Sequence, residues 1–331
     1  MPAAPHNSRR DVIIDAQEFA SVLKPSAGWK TEWIQLRPGP VSHSAVRVAF
    51  GSDSYTALQT SSAGILRGST APGIRALIMG LPAATPLRTD ARPVGSDTCL
   101  LLGPATPFDL YLPEGGGVMI FAVPAERESP ATAISDEAQR RFSVLDARQV
   151  AQITQFLDAL EQSRAIPAAS KGETGSPRLL REQLRSTTVA LFRELRSPEE
   201  TRRAPLQRHV AVTRACAFID GHLREPIALT DLCEAAGVGT RALEYGFHDF
   251  YDLGPMAYVR NLRLCRVRHD LLNPASKDES VSRAARRWSF THMGQFSHDY
   301  RVLFGEMPSI TLTRRALPGN QRATAAAGPV S

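Results

Sequence analysis

The sequence predicts an α+β protein with an N-terminal β-sandwich or jelly roll, a helical connector and a C-terminal all-α domain containing two helix-turn-helix units. Three observations predict this fold class. Short strand-like runs fill residues 30–123, helical periodicity replaces them after residue 130, and one helical pattern occurs twice within 207–315. The predicted boundaries are 11–130 for the β domain, 131–206 for the connector, 207–315 for the helical domain and 316–331 for a disordered tail.

The N-terminal region is a series of short apolar runs. Examples are EWIQL, AVRVAF, GILRGS and GVMIFAV, and glycine, proline, serine and aspartate separate them. Runs of this length with regular turn signals are typical of β-sandwiches and β-barrels. The glycine run EGGGV at 114–118 predicts a hairpin turn rather than a phosphate-binding loop, because no Lys-Ser pair follows it.

Two amphipathic segments follow in the connector. The first, at 146–163, places on one helical stripe Val150, Ile153, Phe156, Leu157 and Leu160. The second, at 178–197, places on a common side Leu180, Leu184, Leu191 and Leu195. An apolar stripe needs a partner surface, so these segments predict a homodimer.

The C-terminal region repeats one supersecondary unit. An apolar seam in the first copy consists of Leu243, Phe247, Tyr251 and Pro255, and at a constant offset of 53 the second copy has Phe296, Tyr300, Phe304 and Pro308. Upstream, Gly237 matches Ser289 at an offset of 52, so the second turn is one residue longer. A short helix, a tight turn and a second helix make a helix-turn-helix. The seams predict core, and the opposite faces of the second helices are then exposed.

A family resemblance rests on three stretches of this region: LTDLCEAAGVGTRALEYGF, GPMAYVRNLRLCRVRHDLL and RRWSFTHMGQFSHDYRVLFGEMPS. With them, residues 207–315 resemble the DNA-binding domain of AraC/XylS-type transcriptional regulators, including the terminal Phe-Gly-x-x-Pro-Ser pattern. The resemblance covers about a third of the chain. It implies that double-stranded DNA is the partner and that both recognition helices enter successive major-groove segments on one face of the duplex.

Side-chain chemistry on the outer faces suggests individual contacts. Arg241 is suited to a guanine edge, Glu244 to cytosine N4 or to an i,i+4 pair with His248, and Met293 to a thymine methyl. The predicted base contacts are Arg241, Glu244, Tyr245, Met293, Gly294, Ser297 and His298. Phosphate oxygens bind at helix N-termini, so the predicted phosphate contacts are Thr240, Thr291 and His292.

The helix that joins the two helix-turn-helix units sets the expected spacing of the recognition helices. Pro255 suits its first turn, and the length from Met256 to Leu272, about 25 Å, is compatible with recognition helices near the ~34 Å spacing of one DNA turn. Four arginines on this helix either contact phosphates or form a solvated basic face: Arg260, Arg263, Arg266 and Arg268.

The sequence departs from the family pattern at four positions. Gly239 stands where a Ser-like cap is usual, so Thr240 is expected to cap the helix one residue later. Tyr245 replaces a commonly basic residue, and Gly246 is expected to soften the helix by about 1 kcal/mol relative to alanine. Ser289 replaces the usual turn glycine and is expected to adopt the required backbone with some strain.

The strand-rich N-terminal region resembles the cupin-like sensor domain of many relatives, in architecture rather than in a sharp motif. The resemblance implies a small-molecule effector, with no effector-binding residues identified, and RNA polymerase as a partner if the protein is an activator. Two alternatives remain. The N-terminal domain only dimerises or docks a protein partner, or it is a cupin enzyme fused to a DNA-binding module.

The enzyme alternative is the weaker one. Before residue 209 the chain has only His6 and His43, too few for a three-histidine metal site, and no common catalytic motif occurs. We therefore predict no catalytic residues, no metal and no cofactor. The net charge of +6 and pI near 9.4 favour polyanion partners. We expect a cytoplasmic protein, because the sequence has neither a signal-peptide pattern nor an apolar run of about 20 residues.

Overall fold

The computed structural model describes residues 12–15, 29–50, 53–82, 84–89, 92–125, 140–165, 186–187, 207–273 and 279–314. The described residues fall into two compact units. The sheet unit contains the chain up to Trp33 and from Ser42 to Arg203. The helical unit contains the chain from Ala204 onward together with the segment Ile34–Val41. The fold class predicted from the sequence, a β-sandwich followed by a helical domain, is confirmed. The predicted tail, 316–331, lies outside the described residues.

Two antiparallel sheets form the sheet unit. The seven-stranded sheet has the order β1-β3-β4-β11-β6-β9-β12, and the five-stranded sheet has the order β2-β5-β10-β7-β8. The strands are β1 (Val12–Asp15), β2 (Lys30–Gln35), β3 (Ser42–Phe50), β4 (Asp53–Thr60), β5 (Gly64–Ser69), β6 (Ile74–Gly80), β7 (Leu87–Thr89), β8 (Arg92–Val94), β9 (Thr98–Leu102), β10 (Pro107–Leu112), β11 (Gly117–Pro124) and β12 (Arg140–Val144).

The central strand β11 is buried on both faces, which explains its unbroken apolar sequence GVMIFAV. Val118 and Ile120 belong to the core between the two sheets. Met119 and Phe121 point to the opposite face, because successive side chains of a strand alternate. Helix α1 (Ala147–Ala165) covers that outer face.

Helix α1 uses its apolar stripe within its own chain. Phe156 packs against Tyr55, with ring centroids 4.9 Å apart, and against Phe121 at 6.0 Å. This first predicted seam therefore already has a partner surface, namely the sheet. The second predicted seam, at 178–197, lies outside the described residues except for 186–187.

The glycine run at 114–118 is not a hairpin turn, so that prediction was wrong. It joins β10 to β11, and these strands belong to different sheets. Gly116 N donates to Pro113 O at 2.8 Å, and Gly115 takes φ 67°, a left-handed conformation that glycine adopts without steric cost. The turn therefore carries the chain across the sandwich.

The helical unit contains α2 (Gln207–His222), α3 (Leu229–Ala236), α4 (Thr240–Tyr251), α5 (Pro255–Leu272), α6 (Val281–Arg287), α7 (Met293–Phe304) and α8 (Pro308–Arg314). Pro255 occupies the first turn of α5, as predicted. None of the helices in the described ranges is long and apolar enough to span a membrane.

Candidate nucleic-acid interface

Two helix-turn-helix units are built by α3 with α4 and by α6 with α7. Their turns share one backbone feature, because Gly237 has φ 69° and Ser289 has φ 62°. Helix α4 begins three positions after Gly237, and α7 begins four positions after Ser289, so the second turn is one residue longer. The repeat and its one-residue insertion agree with the sequence prediction.

The apolar seams are core. Leu243 and Phe247 in α4 are fully buried, as are Phe296 and Tyr300 in α7. The Tyr300 hydroxyl donates to Thr311 Oγ1 at 2.9 Å, and burial raises the pKa of Tyr300 to about 12. Each second helix is thus fixed by one face, and the opposite face remains at the surface.

Gly246 has a packing reason that the sequence did not reveal. It is buried, and a Cβ at this position would lie 2.7 Å from Val212 Cγ2. Val212 is itself only 1% exposed in α2 and cannot move away freely. The glycine therefore permits close packing of α4 on α2 and is not simply a weak point of the recognition helix.

The residues predicted to contact bases are exposed or half-buried. In α4, Arg241, Glu244 and Tyr245 are exposed, and Tyr245 shows 62% of its surface to solvent. The second set, in α7, consists of exposed Gly294 and His298 with half-buried Met293 and Ser297. Glu244 forms no hydrogen bond or ion pair with any described residue, so the predicted pair with His248 is not formed.

The N-termini of both recognition helices begin without a side-chain cap among the described residues. The cap positions are Gly239 for α4 and His292 for α7. Thr240 is already the first helical residue, so the prediction that it caps α4 was wrong. Thr240, Thr291 and His292 are all exposed. The first backbone N–H groups of a helix have no intrahelical partner, so these two ends offer donors to an anion.

The arginines of α5 divide into different roles. Arg263 Nε donates to Leu223 O at 3.0 Å, and burial lowers the pKa of its guanidinium. Arg268 binds Glu306 at 2.8 Å and lies 4.6 Å from the Phe304 ring centroid. Arg260 is more exposed, with Asp299 at 3.7 Å. Neither alternative, phosphate contacts or a solvated basic face, therefore describes Arg263 and Arg268, because both are engaged inside the helical unit.

Polar residues that sequence reasoning missed anchor the second unit to α5. Asp270 accepts from Arg287 at 2.6 Å and from Trp288 Nε1 at 2.9 Å. Arg287 also binds the buried Glu279, and these hydrogen bonds, with that to Glu279 the largest cause, raise the pKa of Arg287. The partners are 17 and 8 positions apart, so no helical period marks them.

The sheet unit offers a small cleft and a buried histidine. The cleft has a volume of about 190 Å³ and is lined by Gln152, Gln155, Phe156, Ser186 and Thr187. His43 is 1% exposed, its ring lies 5.1 Å from that of Trp33, and burial lowers its pKa to about 4. Across the described part of the chain, no cluster of three or more His, Cys, Asp or Glu residues has the geometry of a metal site.

Comparison with known proteins finds a matching protein-family model and individual proteins of similar sequence. A protein-family model described as a helix-turn-helix domain matches residues 232–314, which include both recognition helices. The XylDLEGF operon transcriptional activator 2 of Pseudomonas putida is 33% identical over 120 residues, which are 36% of this chain and 76% of that protein.

Two further relatives extend the comparison. The probable thc operon regulatory protein of Rhodococcus erythropolis is 32% identical over 98 residues, and the match spans only 30% of that protein's length. A solved structure of a probable AraC family transcriptional regulator from Rhodopseudomonas palustris CGA009 is 31% identical. That match covers 32% of this chain and 96% of the other, with a TM-score of 0.30.

Proposed function

This chain belongs to the AraC family of transcriptional regulators, and we propose that it binds specific duplex DNA sequences through α4 and α7. We also propose that a small-molecule effector controls this binding. The observation that supports the proposal is the duplicated unit. Each copy buries one face of its second helix and leaves the opposite face at the surface. Helix α5, which joins the copies, is about 27 Å long at a rise of about 1.5 Å per residue.

The outer face of α4 carries hydrogen-bonding side chains, and the side chains on the outer face of α7 are smaller. Arg241 donates to O6 and N7 of guanine, and Glu244 accepts from cytosine N4. Tyr245 offers a large exposed ring to a base or sugar. On α7, Met293 contacts a thymine methyl, Gly294 lets the helix approach closely, and Ser297 and His298 reach base edges.

Phosphates fix the position of each helix along the duplex. The uncapped N-terminus of α4 binds one phosphate with help from the Thr240 hydroxyl. The N-terminus of α7 binds a second phosphate beside Thr291 and His292. Such contacts make binding salt-dependent but contribute no sequence information.

Selection from a random duplex pool with the full chain tests the proposal. We expect enrichment of one motif with two conserved segments about one helical turn apart. Arg241→Ala should lose about 1–3 kcal/mol of discrimination at one base pair of that motif. Arg148→Ala removes the same charge from an exposed position of α1 in the sheet unit and should retain the discrimination. Failure to enrich any motif would refute sequence-specific binding, and equal losses on specific and random DNA would assign Arg241 to phosphate.

We further propose that the sheet unit is a cupin-like sensor, that the protein acts as a homodimer, and that an activator role would require contact with RNA polymerase. Two protomers would present four recognition helices to repeated half-sites. Sedimentation of the full chain at micromolar concentration tests the dimer, with and without the selected duplex. A monomer under both conditions would exclude it.

A second candidate is a regulator whose sheet unit only dimerises or docks a protein partner. The specific observation in its favour is that the cleft lined by Gln152, Gln155, Phe156, Ser186 and Thr187 has a volume of about 190 Å³, which is smaller than the roughly 300–1,000 Å³ of ordinary ligand pockets. A thermal-shift screen of the full chain against a broad metabolite library separates the two. Stabilisation of the sheet unit by one chemical class favours the sensor, and no stabilisation across the library favours the second candidate.

A further inference from the structure

The helical unit contains a segment from the N-terminal third of the chain, residues 34–41, which lies far outside the family-matched region 232–314. It contacts three helices of that unit. Its anchor is Gln35, a residue that is only 3% exposed. The segment follows most of strand β2 and immediately precedes strand β3 in the sequence, and no sequence pattern assigned it to the DNA-binding domain.

The first contact caps the second recognition helix. Leu303 O belongs to the last turn of α7, where carbonyl groups lack intrahelical partners. It accepts from Gln35 Nε2 at 2.6 Å and from Gly39 N at 3.1 Å. The segment thereby supplies a C-terminal cap that helix α7 does not provide for itself at this carbonyl.

The amide of Gln35 also shapes the segment. Nε2 also lies 2.7 Å from Gly39 O and 2.9 Å from Arg37 O, so its two N–H groups are shared among three carbonyl oxygens. Three carbonyl oxygens around one side-chain atom require that atom to be the donor nitrogen, because an oxygen there would be repelled by all three. A residue of the same shape without N–H groups therefore cannot replace Gln35.

Two further contacts connect the segment to α5 and α4. Asn261 Nδ2 of α5 donates to Leu36 O at 3.0 Å. Arg37 Nη2 donates at 3.3 Å to the carbonyl of Asp252, the residue that caps the C-terminus of α4. The segment thus bonds to the C-terminal end of each recognition helix and to the middle of the helix between them.

We propose that residues 34–41 are a positioning segment that sets the separation of the two recognition helices through Gln35 at α7 and Arg37 at Asp252. This inference rests on the proposed DNA-binding function. Two helices read one duplex only if their separation matches its pitch of about 34 Å. Fixing that separation before binding reduces the entropy cost of ordering the helices on association. It also makes affinity depend strongly on the spacing of the two DNA segments that the helices contact.

Full-length Gln35→Glu tests the proposal, with Gln59→Glu as the matched control. Gln59 lies in β4, where its amide donates to Gly115 O at 3.4 Å in an exposed position, so the control makes the same chemical change in the sheet unit. Affinity is measured for the duplex selected by the wild type and for duplexes with one base pair added or removed between the two contacted segments. One base pair moves a segment by about 3.4 Å and rotates it by about 35°.

We expect the wild type and Gln59→Glu to prefer the selected spacing strongly. Gln35→Glu should bind the selected duplex at least about tenfold more weakly, and its preference for the selected spacing should shrink at least about threefold. A role in folding alone would lower the melting temperature and the active fraction but leave the spacing preference unchanged. That result would overturn the proposal.

Arg37→Ala provides a second measurement, because this exposed side chain can be removed without opening the core. We expect a smaller loss of spacing preference in a protein that melts at the wild-type temperature. If Gln35→Glu does not fold, a wild-type spacing preference in Arg37→Ala overturns the proposal by itself. If the wild type selects no duplex at all, the proposed function fails and the positioning role fails with it.

Discussion

Gly237 and Ser289 occupy equivalent places in the two helix-turn-helix units and have nearly the same left-handed backbone, with φ of 69° and 62°. The turn therefore imposes this conformation on whichever residue occupies the place. Glycine adopts it freely, whereas serine has a Cβ that crowds the backbone. The Ser289 hydroxyl donates to Arg224 O, so a hydrogen bond accompanies the strain.

This relationship predicts a reversal of the usual order of alanine and glycine in stability. Ser289→Ala loses the hydrogen bond but keeps the strained backbone, whereas Ser289→Gly loses the bond and relieves the strain. We expect the glycine variant to be more stable than the alanine variant by about 1 kcal/mol in urea unfolding. An alanine variant as stable as the glycine variant would show that the turn has relaxed to another conformation.

The close approach at Gly246 predicts that alanine substitutions at Gly246 and at Gly294 change stability in opposite directions. Gly246→Ala should destabilise the helical unit by about 1–2 kcal/mol, because the clash with Val212 outweighs the helix propensity of alanine. A Cβ added at Gly294 would meet open space, with nothing within 4 Å, so Gly294→Ala should stabilise α7 by up to about 1 kcal/mol. Chemical unfolding of both variants checks the pair of signs. Equal signs would contradict the packing explanation.

Because Arg268 is bound inside the helical unit, its replacement should lower the stability of that unit and leave the electrostatic attraction to DNA unchanged. Its side chain is 12% exposed and bound to Glu306. Arg268→Met should lower the stability of the helical unit by about 2–3 kcal/mol, because Glu306 loses a partner. The slope of DNA affinity against salt concentration should remain that of the wild type. A slope reduced by about one ion would show instead that Arg268 contacts a phosphate.

The buried His43 predicts a pH dependence confined to the sheet unit. Its pKa is lowered from 6.5 to about 4, so below pH 6.5 the unfolded chain binds a proton that the folded chain does not. Stability should therefore fall as pH decreases, by about 2 kcal/mol between pH 7 and pH 5.

His43→Phe removes the titrating group and keeps an aromatic ring beside Trp33. Its stability should change less over the same pH interval, measured by hydrogen-exchange protection of β3 and β4. The helical unit serves as the internal control within each sample. Identical pH profiles for wild type and variant would contradict a neutral buried His43.

Local periodicity determined much of this protein from the sequence alone. The spacing of Phe296, Tyr300 and Phe304 identified one buried face of α7, and the offset to Leu243 identified the duplication. The short apolar runs of β11 and its neighbours, with turn residues between them, predicted a sandwich. These features depend on which face of a helix or strand is buried, and the periods of 3.6 and 2 residues record that directly.

Only the tertiary structure decided which polar groups are engaged and which chain segments meet. Arg268 and Glu306 are 38 positions apart, and Gln35 and Leu303 are 268 apart. No period relates such positions, so an arginine bound inside the unit and one at the surface look alike in the sequence. The same limit concealed the reason for Gly246, the crossing of β10 to β11 between sheets, and the inclusion of residues 34–41 in the helical unit. Each depends on the distance between elements, which follows from how all the buried faces pack together.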